Sequence, residues 1–164
     1  MFMHMNRSLI SISSLMIALV VGVPSTHAQE KKLMPHHATG TFEVKMTPIQ
    51  GAANDGLQRM SIDKVIHGGL EATTKGEMIS AGDYKSGNAG YVAMETVTGT
   101  LDGKHGTFAF QHVATMNGGA PEMKVIVTPG SGTGELAGIA GTFTILIENG
   151  KHSYTFDYTL PSEK

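Results

Sequence analysis

The chain has 164 residues, with 12 Lys and Arg against 14 Asp and Glu, 21 glycines, no cysteine and no tryptophan. Without cysteine there is neither a disulfide framework nor a lipidated-cysteine anchor, and a slightly acidic chain with no basic run is not an electrostatic binder of nucleic acid. Abundant glycine favours many short strands and tight turns over helices.

In chain order, Arg7 and the amino terminus precede an apolar run, Leu9 to Val23, and then the small-residue stretch Pro24-Ser-Thr-His-Ala28. This is the order of a secretory signal peptide cut after Ala28, and the run falls short of the ~20 residues that span a bilayer. The expectation is an exported protein, periplasmic or secreted, without a stable membrane anchor. Residues 1–28 would be the signal, 29–39 a flexible lead-in and 40–161 one barrel domain. Losing Arg7 takes the basic count from 12 to 11 against 14 acidic residues, so the mature chain stays acidic. Its length suffices for a core without covalent staples. In the lead-in, His36-His37 is a lone pair without metal-ligand spacing.

Eight strand candidates follow: Gly40–Met46, Arg59–Ile66, Leu70–Ile79, Gly90–Thr98, Thr107–Met116, Glu122–Thr128, Thr142–Ile147 and Lys151–Leu160. Each alternates in polarity or is rich in β-branched and aromatic residues. Gly68-Gly69, Asp102-Gly103, Asn117-Gly-Gly119 and Asn149-Gly150 separate them, and Asn-Gly and Asp-Gly accept the positive φ angles of type I′ hairpin turns. Longer connections are expected at Thr47–Gln58, Ser80–Ala89 and Pro129–Ala140, and no helical period stands out. Regular strands with short turns make an all-β fold, a sandwich or a closed barrel.

The two best turns set register. A two-residue turn at Asp102-Gly103 places Val97 opposite Phe108, Glu95 opposite Phe110 and Ala93 opposite His112; one at Asn149-Gly150 places Ile145 opposite Tyr154 and Phe143 opposite Phe156. Side chains alternate faces along a strand, so Tyr91, Glu95, Phe108, Phe110 and His112 share one face, as do Phe143, Tyr154, Phe156 and Tyr158. The aromatic faces are the buried ones, since each ring is worth ~1.5–3 kcal/mol on burial. Glu95 and His112 are thereby expected inside, as diagonal neighbours within reach of each other.

Gly90-Tyr-Val-Ala-Met-Glu95, Gly99-Thr-Leu-Asp-Gly-Lys-His-Gly-Thr-Phe108, Gln111-His112, Pro129-Gly-Ser-Gly-Thr-Gly-Glu-Leu136, Gly150-Lys-His-Ser-Tyr154 and Asp157-Tyr158 together resemble domain-of-unknown-function family 3224, an uncharacterised bacterial family. The resemblance covers about Thr41 to Leu160. It implies an eight-stranded antiparallel meander β-barrel of the allene oxide cyclase-like or lipocalin-like type. The glycine-rich segment is also similar to the same region of plant allene oxide cyclases and dirigent proteins. No substrate-contacting cyclase residue maps onto this chain one for one, so the resemblance implies no catalytic residue and no established activity.

Gly130-Ser-Gly-Thr-Gly134 lacks the Lys-Ser or Lys-Thr and the helix of a phosphate loop, and reads as a tight connection. Glu95 and His112 are the candidate catalytic residues, a buried carboxylate and imidazole able to exchange a proton, or else a satisfied structural pair. Tyr91, Phe108, Phe110, Phe143, Tyr154, Phe156 and Tyr158 are the candidate ligand-binding residues, because barrels of this size either pack solid or hold one small ligand. No metal and no cofactor are expected. The leading reading is an exported barrel binding a small, largely apolar molecule. The alternatives are a cofactor-free isomerase or cyclase, and an interaction module with a filled core; a homo-oligomer stays open.

Overall fold

A computed structural model describes residues 33–50 and 56–161. The signal peptide reading lies outside them. Eight strands run in chain order: β1 (Leu33–Pro48), β2 (Gln58–Gly68), β3 (Leu70–Asp83), β4 (Asn88–Leu101), β5 (Lys104–Asn117), β6 (Ala120–Val127), β7 (Ala140–Glu148) and β8 (Lys151–Pro161). Each pairs antiparallel with the next, and β8 returns to β1, closing an eight-stranded meander barrel. Closure gives every strand a neighbour on both sides, the usual solution for an antiparallel sheet with one apolar face.

The two tight turns set the register as their chemistry requires. Asp102 and Gly103 have φ of 49° and 78°, and Asn149 and Gly150 have 52° and 75°. Both residues of each pair occupy the left-handed region, the type I′ geometry that Asp-Gly and Asn-Gly tolerate best. Glu95 pairs with Phe110, Ala93 with His112, and Phe143 with Phe156.

The flexible lead-in requires correction over residues 33–39. Leu33 pairs with Pro161, His36 with Tyr158 and Thr39 with Thr155, so this stretch is the first half of β1. Without it the edge of β8 beyond Tyr154 would have no partner. His36 stacks on Tyr158 at 5.0 Å, and His37 Nδ1 lies 2.7 Å from the Asp157 carboxylate on the surface.

Packing divides the barrel along its axis. The end holding the β2–β3 and β4–β5 turns is solid. Phe108, Phe110, Phe143 and Phe156 interlock there, with Phe110 and Phe143 centroids 4.8 Å apart and Phe108 edge-on to Phe110 at 5.1 Å. Leu70, Leu101 and Leu160 fill around the rings. The glycine-rich connection between β6 and β7 forms the floor plate: Leu136 and Ile139 are 1% and 2% exposed. Thr133 stitches this connection to β5, donating from its N–H to the Thr107 carbonyl (2.8 Å). Its glycines thus serve close backbone approach rather than anion binding.

One seam is weak. β6 and β7 share a single registered pair, Ile126 with Thr142, whereas β4 and β5 are registered from Ala89–Met116 to Leu101–Lys104. Outside, the threonine-rich face also shows Val92, Met94 and Val113, each about half exposed.

Candidate functional site

The opposite end of the barrel is hollow. A cavity of about 580 Å³ opens there, walled by inward residues from the top of every strand, among them Val44, Ile62, Met78, Tyr91, Ala114 and Ile145. The reason is side-chain volume. At the closed end the inward positions of β5 carry Phe108 and Phe110, whereas toward the mouth one member of each inward β4–β5 pair is small, Ala114 opposite Tyr91 and Ala89 opposite Met116. Four methionines, Met46, Met78, Met116 and Met123, ring the upper wall. Methionine is flexible and polarizable, and adapts its shape to an occupant.

The floor of this well is polar. Four consecutive strands each send one inward side chain to it: Lys64 from β2, Thr74 from β3, Glu95 from β4 and His112 from β5. Glu95 is the hub and is 1% exposed. Lys64 Nζ donates to its Oε1 at 2.5 Å, and Thr74 Oγ1 donates to its Oε2 at 2.5 Å. His112 Nε2 lies 2.8 Å from Oε1, but it is poorly aligned and completes no hydrogen bond. The contact nonetheless favours the ionised carboxylate. The Lys64 ammonium also sits 5.1 Å above the Phe42 ring, within cation–π range.

Gly76 makes room for the hub. It pairs with Glu95, and a Cβ there would meet the Met94 carbonyl oxygen at 2.2 Å and Glu95 Cγ at 2.7 Å. Any side chain at this inward position would displace the carboxylate.

Burial by itself pushes the Glu95 carboxyl up, but the His112 contact and the Lys64 charge outweigh it and hold the group down at about 2. An interior carboxylate with such partners stays ionised at neutral pH. Held this way it is a weak base, because base strength falls with pKa. Its evident work is to fix Lys64 and His112. The Tyr91 hydroxyl is pushed up by burial, and further by the Glu95 charge.

The structure brings Glu95, His112 and Tyr91 together around one cavity. It sends the other six candidate ligand residues elsewhere. Phe108, Phe110, Phe143, Tyr154, Phe156 and Tyr158 all belong to the packed half and none borders the cavity. Tyr154 Oη accepts from the Leu70 N–H at 3.0 Å, and Tyr158 donates to the Asp102 carboxylate. Burial and then Asp102 push the Tyr158 phenol above the ordinary tyrosine range. These hydroxyls tie strands to the closed end, the commoner fate of buried tyrosine. His152 stacks on Phe42 at 4.9 Å and lines the wall. Among the described residues, no group of three or more His, Asp or Glu is placed to hold a metal ion.

Lys64, Thr74 and Gly76 escape the sequence reading. The signal for Lys64 is Ile62-x-Lys64-x-Ile66, a cation between two isoleucines on one face. Gly76 becomes visible only once β3 is placed beside β4.

Fold and site define a small closed β-barrel with a one-ended internal well and a charged floor. The chain belongs to the family described as "Protein of unknown function (DUF3224)", whose model matches residues 38–158. A crystal structure of a protein with unknown function from this family, from Shewanella oneidensis MR-1, is similar at 42% identity and a TM-score of 0.71. The match covers 79% of this chain and 100% of that one. No curated protein matches.

Proposed function

We propose that this barrel binds a small, largely apolar molecule in its open half and is exported to the periplasm or beyond. The observation that carries the binding reading is the cavity of about 580 Å³, open at one end and walled mainly by aliphatic and methionine side chains. Pockets of this size with few polar groups are the common form of a small-molecule site. An open apolar well is also a poor structural solution by itself, since its lining lacks packing partners. The apolar run Leu9–Val23 ahead of Ala28 supports export.

The isomerase or cyclase reading, with Glu95 and His112 exchanging a proton, has less support. A carboxylate held at about 2 takes protons poorly. A solid interaction module is disfavoured by the cavity itself.

The test is native mass spectrometry of freshly purified protein, followed by displacement of a fluorescent fatty probe. Ala114 borders the cavity and is 9% exposed, so Ala114→Phe would fill the space. The expected result is a retained or recruited apolar compound in the wild type and none in a folded Ala114→Phe. Equal binding by both proteins, or by neither, overturns the reading.

A further inference from the structure

We propose that the bound molecule enters polar end first, and that this end is an uncharged hydrogen-bond acceptor such as a ketone, ester or hydroxyl, carried on an apolar body about 15 Å long. This deepens the ligand-binding reading above and rests on it.

The first argument is charge. The floor is already balanced, with the Lys64 ammonium and the Glu95 carboxylate 2.5 Å apart and both buried. Both Glu95 oxygens are occupied, Oε1 by Lys64 and His112 and Oε2 by Thr74. A cationic head would meet the Lys64 ammonium and a carboxylate whose two oxygens are both already engaged. An anionic head would add an uncompensated negative charge beside Glu95, where desolvation is expensive. Lys85 also borders the cavity, but it lies in the exposed β3–β4 turn at the mouth, several residues of strand away from the floor.

The second argument is donor capacity. An ammonium carries three N–H groups, and Lys64 spends one on Glu95. His112 is 6% exposed with its Nε2 turned to Glu95 Oε1 at 2.8 Å, so the donors left for an occupant are the two remaining N–H groups of Lys64. Both side chains border the well. Two unspent N–H groups on one ammonium suit a single acceptor oxygen.

The third argument is shape. From Ala89 at the mouth to Glu95 at the floor, β4 advances about 20 Å, or about 15 Å of depth at the usual strand tilt. The wall over that depth is mainly apolar, with Val44, Ile62 and Ile145 facing inward beside Tyr91 and His152. The closed end below is filled by Phe108 and Phe110, so no chain threads through.

Calorimetry with three probes of equal length, 2-dodecanone, dodecanoate and dodecylamine, tests the head-group assignment at neutral pH. The ketone is expected to bind at least about tenfold more tightly than either ion. Lys64→Met/Glu95→Gln removes both floor charges together, which keeps the fold where Lys64→Met alone would strand the carboxylate. That double variant should lose about tenfold in ketone affinity. Tightest binding of dodecanoate or dodecylamine refutes the assignment, as does equal binding of all three with no response to the double variant. In those cases a block by Ala114→Phe leaves the cavity reading standing. Failure of every probe to bind overturns both.

Discussion

Glu95→Gln keeps the shape of the hub and removes its charge. Lys64, 8% exposed, would then keep its ammonium beside a neutral amide. Removing one member of a buried ion pair costs about 3–5 kcal/mol, and the neighbouring cavity admits water to Lys64, which places this case near 3. With a urea m-value of about 1.5 kcal/mol/M, the midpoint should fall by about 2 M. Adding Lys64→Met should recover most of the loss, because the unpaired charge goes with it. Acid offers an independent check. The Glu95 carboxyl is held at about 2 in the fold, against about 4.3 in an unfolded chain. Its contribution is therefore fully present above pH ~4.3 and is lost as the pH falls toward ~2, about 3 kcal/mol in all. Wild type should lose that increment over this window, and Glu95→Gln should lack it. Urea titrations at several pH values read both effects. A variant with the wild-type midpoint and the wild-type acid slope would refute the view that Glu95 organises the floor.

Gly76→Ala should destabilise by about 3 kcal/mol in the same assay, since the added methyl meets main chain and has nowhere to go. Gly90→Ala, whose nearest neighbour would be the Ala114 carbonyl oxygen at 3.5 Å, should cost less than about 1 kcal/mol; equal effects would remove the special role of position 76. Phe156→Leu should cost about 1–2 kcal/mol while leaving the affinity for an apolar probe within about twofold, because this ring packs in the closed half. A large loss of affinity without a loss of stability would place Phe156 in the site after all.

Much of the fold is legible because local chemistry decides it. Asp102-Gly103 and Asn149-Gly150 admit few backbone conformations, and each fixes a hairpin, a register and so the face on which Glu95, His112 and the rings lie. The start of β1 is not legible. Pro35-His36-His37 has no alternation, and its strand state is imposed by the edge of β8. Lys64 is hidden for a related reason: the Gly68-Gly69 turn pairs β2 with β3, but β2 carries no rings to mark its inward face, and Ile62-Lys64-Ile66 competes with Ser61-Asp63-Val65. Aromatic residues mark the inward face correctly, yet an inward face is not a pocket. What separates the two is a gradient clearest along β5, Phe108 and Phe110 toward the β4–β5 turn and Ala114 toward the far end. That gradient is present in the sequence but becomes meaningful only when the strands are stacked in register.

The single registered pair between β6 and β7 has a mechanical consequence. A hoop yields where its join is thinnest, and here the thinnest join runs up to the rim beside Met123 and Ile147. Spreading it sacrifices almost no ladder, whereas parting β4 from β5 would unzip an entire hairpin. The wall at the mouth is thus held least along this join, while the opposite end is tied by its interlocked rings.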